Sequence, residues 1–432
     1  MSVFNKVYEL ISPKQKIIVG GSIPTFAYHQ LLDKYNNLIC CIGEGEESFL
    51  QLVNYFSYHN GKWELLKNIP NIAFIKDGKL FKIYRKPFAL PSEKIIRRPN
   101  IINSIIETNG IIRIEASRGC SWRKCKFCCV NEKYAGSHWR PYVIEKIADE
   151  LIDLSKMGIH SPYFTDEDFF ENNPKRVKEL AELILNFKHN KFISPRMDFF
   201  ISIMAIDIIS DEGKEALIAL QKAGLREVFV GIESMLCRQL KDYNKLATAK
   251  RNKYAINFLK SLGLHVDVSY ILFEPKLNIH ELIKSIEYID SLCLNNFDSR
   301  SIKRLRIQPC TEMSKEYNVI DSQLLDIDQL EYKYKFDDKK VGEVYTLYEI
   351  WEDECKEAIW KFQELTRGEN ISNNDLLKQK LSEIRAIDFD FLKLAIAYVV
   401  SNINKDEYIS QTNKLRRNKF LVIAYFNKLL KR

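Results

Sequence analysis

Apolar and polar positions follow two periods along this chain, and the switch from one to the other marks its elements. Residues 16–21, KIIVGG, form a short apolar run closed by Gly20 and Gly21, and residues 37–43, NLICCIG, form another. Helical spacing over 26–35 lies between them, so 16–43 predict strand, helix, strand. A second helix follows over 43–56, with Glu46 and Glu47 in its first turn and Phe49, Leu50, Val53 and Phe56 recurring at helical spacing. Residues 72–85 alternate on either side of Lys76-Asp77-Gly78 and predict a hairpin whose glycine takes a positive φ. The Pro-containing stretch 86–100 predicts a linker.

Beyond Gly110 the pattern becomes short strands separated by amphipathic helices. The strands are expected over 111–116, 161–166, 199–204, 227–233, 266–274 and 303–309; the helices lie over 143–158, 174–187, 213–224, 247–263 and 278–292. Repeated strand-helix units require crossovers, hence a parallel sheet. A partial (β/α)6 TIM-like barrel would place its reactive groups at the carboxyl ends of the strands. After Met313 apolar residues recur at three and four, predicting a helical end to the chain. The expected fold class is therefore α/β, with a small N-terminal α/β domain (1–105), a barrel (106–313) and a helical C-terminal domain (314–432).

Composition narrows the compartment. The N-terminus lacks the apolar core of a secretory signal, and the apolar run Phe391 to Val400 is too short to span a bilayer. A cytoplasmic protein with no membrane contact is expected. The net charge of +8 is concentrated toward the C-terminus, over 414–432, and reads first as a solvated helix face.

Ten cysteines in 432 residues are too dilute for a disulfide scaffold, yet four lie within positions 120–129. Cys120, Cys125 and Cys128 are spaced C-x-x-x-x-C-x-x-C directly after a predicted strand. Three thiolates on one loop suit an iron-sulfur cluster, because a zinc ribbon would need a second C-x-x-C pair and none exists elsewhere. Zinc or a plain redox dithiol is the competing reading. Three ligands leave one iron open to a substrate or cofactor.

This segment, with Phe127 before its third cysteine, resembles the cluster loop of the radical S-adenosylmethionine (radical SAM) superfamily, differing by one extra residue in the first gap. Cys129 could stand in for Cys128, though the register with Cys125 and Phe127 favours Cys128. The resemblance covers roughly 16–355, including 163–177, 220–234 and 270–282, and is to the cobalamin-associated branch. It implies a [4Fe-4S] cluster, SAM chelated to the open iron, and reductive cleavage to methionine and a 5′-deoxyadenosyl radical. It places Asp166 and Glu167 at SAM's amino group, and Ser202 and Glu233 near its carboxylate or ribose.

Residues 20–52 resemble the back half of the cobalamin-binding domain of that branch, while the histidine-bearing front half is absent. His29 and His59 read as surface residues, and cobalamin is not expected to be held. Cys355 is the single cysteine beyond residue 313, so the multi-cysteine auxiliary-cluster domain of many peptide-modifying relatives is absent. Cys310, at the end of the sixth predicted strand, stands where relatives carry a Pro-Gly-Thr turn. A thiol there could return a hydrogen atom to a carbon radical, as in the peptide epimerases, with Cys129 a second donor; the plain alternative is a small buried hydrophobe. The expectation is a radical SAM enzyme acting on a ribosomally made peptide by epimerisation. A cobalamin-dependent methyltransferase and a non-catalytic iron-sulfur sensor are the alternatives. A flavodoxin or ferredoxin reductant is implied, the C-terminal helices could serve as lid or docking surface, and nothing in the spacing selects peptide over nucleic acid.

Overall fold

The structure, a computed structural model, describes residues 2–11, 15–59, 62–91, 99–108, 110–294, 303–317, 325–367 and 374–429. Residues 92–98 of the expected linker and 430–432 of the basic tail lie outside the described residues. The chain divides into two compact units: Met1–Pro91 with Arg118–Pro141 and Arg306–Lys333, and Ser92–Ser117 with Tyr142–Leu305 and Tyr334–Arg432.

The first unit is built on a four-stranded sheet in the order β1 (Ile17–Val19), β2 (Leu38–Cys41), β3 (Ile72–Lys76), β4 (Lys79–Lys82). β1 and β2 are parallel, joined by the helix Ser22–Lys34, and β3 and β4 close the sheet as an antiparallel hairpin. Asp77 and Gly78 both take positive φ (51° and 71°), the backbone that matches the twist of a two-residue hairpin. The helix Glu46–Tyr58 turns a different face inward from the one its spacing suggested. Ser48, Leu52 and Tyr55 are buried, while Phe49, Leu50 and Val53 are exposed. Ser48 is drawn in by a hydrogen bond from its hydroxyl to the carbonyl of Pro70, 2.8 Å. Lys86 and Phe88, expected in a linker, are tied down instead: Lys86 N–H donates to Asn71 and Phe88 N–H to Glu44.

The second unit contains a six-stranded sheet. Its strands β5 (Arg113–Ile114), β6 (Tyr163–Phe164), β7 (Phe199–Met204), β8 (Leu225–Glu233), β9 (His265–Phe273) and β10 (Lys303–Arg304) lie in sequential order, every pairing parallel. Among the described residues β5 and β10 are not bonded to one another, as an incomplete barrel requires. Amphipathic helices follow the strands as expected: Ile144–Lys156, Pro174–His189, Asp211–Ala223, Ala249–Ser261 and Ile279–Ser291. Ser210, Thr248 and Asn278 cap three of them, each accepting a backbone N–H with its side chain. Pro99–Glu107 is a further helix in the stretch before β5.

The helical end consists of Lys339–Asp353, Lys356–Arg367, Asn374–Val399 and Lys405–Leu429. Before it, Leu325–Asp326 and Glu331–Tyr332 form a short antiparallel pair where no strand was expected. The helix Asn374–Val399 is fixed to the start of β8, through Arg226 with Asp375 (3.0 Å) and Lys378 with Glu227 (3.2 Å). That is the amino end of the strand, opposite Glu233, so this helix is not a lid over the carboxyl edge. No described helix is long and apolar enough to cross a membrane.

Candidate functional site

In the first unit, Cys120, Cys125 and Cys128 lie on one loop, none of them in a disulfide and each half-buried. The Cys128 N–H donates to the Cys125 carbonyl, 3.1 Å, turning the chain back within the C-x-x-C segment. The Cys128 thiol is pushed up to about 12 by desolvation and, less strongly, by Cys129, Cys125 and Cys120 around it; a hydrogen bond from the Val130 backbone opposes this. A cation would reverse that balance, since a coordinating thiol is deprotonated outright. No group of three or more His, Cys, Asp or Glu side chains among the described residues is gathered to hold a single metal ion. A four-iron cluster asks for something wider, because each cysteine binds a different iron. Neighbouring thiols outside any disulfide, with the Val130 backbone amide aimed at Cys128, fit that group.

The first gap is fixed at one of its residues. Arg123 adopts φ 49°, its guanidinium donates to the Gly136 carbonyl (2.8 Å), and its own carbonyl accepts from Asn131 (2.8 Å). Gly119, at φ 95°, passes so close to His138 and Trp139 that an added Cβ would lie 3.1 Å from the His138 carbonyl oxygen. Lys126 pairs with Glu316 and its carbonyl accepts from Met313, bracing the loop between Cys125 and Phe127. Phe127 is half-buried. Cys129 packs against the apolar cluster of Phe26, Ala27, Leu325 and Leu330.

Cys310 stands at φ 66°, a backbone region that favours glycine, and the residue as a whole is exposed. Its thiol is nevertheless desolvated enough to be raised above its ordinary value, with Glu132 adding to the shift and Lys82, Arg85 and Lys315 opposing it. At neutral pH it therefore keeps its S–H. Glu132 belongs to the short helix Val130–Lys133 directly after the cluster cysteines, so these groups share one neighbourhood.

In the second unit, Asp166 is buried. Its carboxylate accepts from the Ala116 N–H (3.0 Å) and the Ser117 hydroxyl, and burial outweighs these bonds to push it up to about 7. Glu167, beside it, is half-buried. Ser202 is the fourth of six residues of β7, and its carbonyl accepts from Phe169. Glu233 ends β8 at φ 59° and is engaged on both oxygens, by Lys245 (3.1 Å) and by the Ser269 hydroxyl (2.7 Å). Gly231 leaves room for this pair: a Cβ there would lie 3.0 Å from the Glu233 carboxylate.

Residues 114–289 match the model of the Radical SAM superfamily. The chain carries a radical SAM domain. It is 26% identical over 294 residues to the 4′-phospho-dehydrooxetanocin synthase of Priestia megaterium, covering 64% of this chain and 39% of that protein. It is 23% identical over 267 residues to the hopanoid C-3 methylase of Methylococcus capsulatus, 60% of this chain and 47% of the relative. The chain thus spans less than half the length of these curated relatives. The radical SAM fold extends beyond the domain: the cobalamin-dependent S-adenosylmethionine radical enzyme OxsB, solved with aqua-cobalamin and S-adenosylmethionine bound, matches 100% of this chain and 69% of its own, with TM-score 0.73 at 20% identity. At that identity the likeness shows the fold. The relatives are a synthase and a methylase, so the epimerase reading finds no support among them.

Several groups beyond the sequence-based set stand out. Ser117 bonds Asp166, Lys245 and Ser269 bond Glu233, Arg176 donates to the Ala116 carbonyl, and Glu44 binds two arginines beside the cluster loop. Asp168 and Asp207 share a hydrogen bond and are both raised, chiefly by burial.

Proposed function

We propose that this chain is a radical SAM enzyme that holds a [4Fe-4S] cluster on Cys120, Cys125 and Cys128 and cleaves SAM reductively. The observation that carries the reading is three cysteines on one loop, none in a disulfide, in a chain that also carries the open parallel barrel. When bound, the cluster supplies the electron that yields methionine and a 5′-deoxyadenosyl radical. Among the chain's own residues, the adjacent carboxylates of buried Asp166 and half-buried Glu167 are the groups the family resemblance sets against SAM's ammonium. Ser202 offers a hydroxyl for SAM's carboxylate or ribose. Anaerobic reconstitution with iron and sulfide, then SAM and reductant, should release 5′-deoxyadenosine; the Cys120→Ala variant should release none. Equal release from both would remove the assignment.

For the fate of the radical, cobalamin-dependent group transfer is read ahead of epimerisation, on the strength of the relatives. The Gly20–Gly21 turn borders a cavity of about 390 Å³, lined by Phe4, Val19, Ser22, Ile23, Pro24 and Leu31. Space is open around Gly21, and the cavity suits part of a corrinoid rather than the whole. His29 and His59 are both exposed. Spectral titration with aqua-cobalamin tests this, and no binding at micromolar cobalamin would turn the reading back to a cobalamin-free reaction. That second reading rests on exposed Cys310 with its S–H retained, which could return a hydrogen atom to a substrate radical such as a peptide Cα. There Cys310→Ala should spare SAM cleavage and abolish the epimerised product. A flavodoxin or ferredoxin reductant and a cytoplasmic location complete the proposal.

A further inference from the structure

In each unit, buried ionisable side chains hydrogen-bond the residues that flank the cluster loop, Glu44 in the first and Asp166 and Arg176 in the second, and none of them is a cysteine. In the second unit the chain departs at Ser117 and returns at Tyr142. Asp166 accepts from the Ala116 N–H and the Ser117 hydroxyl. Arg176 donates from Nη2 to the Ala116 carbonyl (3.0 Å) and to the Tyr142 carbonyl (3.1 Å), and the Tyr142 N–H itself donates to the Ala116 carbonyl (3.0 Å). Departure and return are thereby held side by side. In the first unit the next residues outward, Arg118 and Arg140, are held in the same manner. Glu44, almost fully buried, accepts from Arg118 Nη1 (3.0 Å) and takes Arg140 Nη2 on both oxygens (3.0 Å each).

We infer that Glu44, Asp166 and Arg176 are positioning residues that fix the two ends of the cluster loop, acting on the reaction through Cys120, Cys125 and Cys128. A loop held only by three thiolates could pivot about its cluster, and the open iron must meet SAM in one orientation. Charge-assisted hydrogen bonds are shorter and about twice as strong as neutral ones, and buried ones are least disturbed by solvent. Their placement at both ends of one loop, on backbone carbonyls and amides as well as side chains, is what a general stabilising ion pair would not need. The inference rests on the radical SAM reading for what the loop carries, and it gives the N-terminal unit a task in Glu44 that is independent of cobalamin.

The test uses the full chain, reconstituted anaerobically, as wild type, Glu44→Gln, Asp166→Asn, Arg176→Met and Arg176→Lys. Three readouts are taken: iron per chain, the electron paramagnetic resonance (EPR) spectrum of the reduced cluster with and without SAM, and the rate of 5′-deoxyadenosine release. The variants should hold iron with a broadened spectrum that responds weakly to SAM. Release should fall roughly ten- to a hundred-fold, the scale of a misplacement of about 1 Å. Arg176→Lys, which keeps one donor, should recover part of what Arg176→Met loses. A selective loss of iron at unchanged melting temperature would also support the role. Wild-type spectra and rates in all four variants would overturn it. If the charge variants do not fold, Ser117→Ala, which deletes a single hydroxyl donor, carries the same prediction in milder form and the same contrary outcome. The spectra decide the matter even where wild type releases no deoxyadenosine, a result that would strike the radical SAM reading instead.

Discussion

Glu233 and Lys245 meet with about 8% of either side chain exposed, so neither charge is solvated if the other is removed. Lys245→Met should destabilise the fold by about 3–5 kcal/mol, the usual cost of leaving a buried partner uncompensated, and urea unfolding measures it directly. Gly119→Ala should be harmful in a different way, combining a positive φ with crowding against His138; impaired cluster loading should accompany any loss of stability. At this scale the sequence was legible where chemistry is local. Cys120, Cys125 and Cys128 were read from their spacing alone, and the structure sets them on one loop. Arg176, Ser269 and Lys245 do not, because each acquires its role only when strands and helices far apart in sequence meet. Glu233, read as a residue near SAM, is also bonded by Lys245 and Ser269, partners its sequence context did not show.

At the level of elements, the barrel strands were readable from apolar runs and the helices from their period, and β7 matches its expected range residue for residue. β5, β6 and β10 are shorter than their apolar runs, since among the described residues two of each form the strand. The helix Glu46–Tyr58 misled because surface phenylalanine and leucine carry the same period as core ones. Pro99–Glu107 went unread although proline at the first helical position is a start signal. The C-terminal helices gather around Asp388, which accepts from the Trp351 indole (2.8 Å) and pairs with Lys419 (2.7 Å) and Arg385 (3.3 Å), all buried. Asp388→Ala should therefore cost about 3–5 kcal/mol. Thermal unfolding followed by circular dichroism should register it, whereas Lys356→Ala, an exposed pair with Asp353, should change little.

For the whole molecule, three buried aspartates in the second unit give stability a sign with pH. Asp166, Asp168 and Asp207 are all raised, Asp166 to about 7 from 3.8, chiefly because burial penalises their charge. The unfolded chain loses these protons near pH 4 while the folded chain keeps them longer, so their contribution is full below about pH 4 and is lost as pH rises toward 7. The urea midpoint should fall across that window, and Asp207→Asn should flatten the slope. Such a pair was invisible in the sequence, since Asp168 and Asp207 follow different strands and meet only in the folded barrel.

The central claim is that the cluster of this chain has one iron without a protein ligand, reserved for SAM. The EPR spectrum of the reduced, reconstituted protein tests it most directly. Addition of SAM should change the signal of a single [4Fe-4S] species, and the Cys125→Ala protein should show neither the signal nor the change. A cluster signal indifferent to saturating SAM would contradict the account.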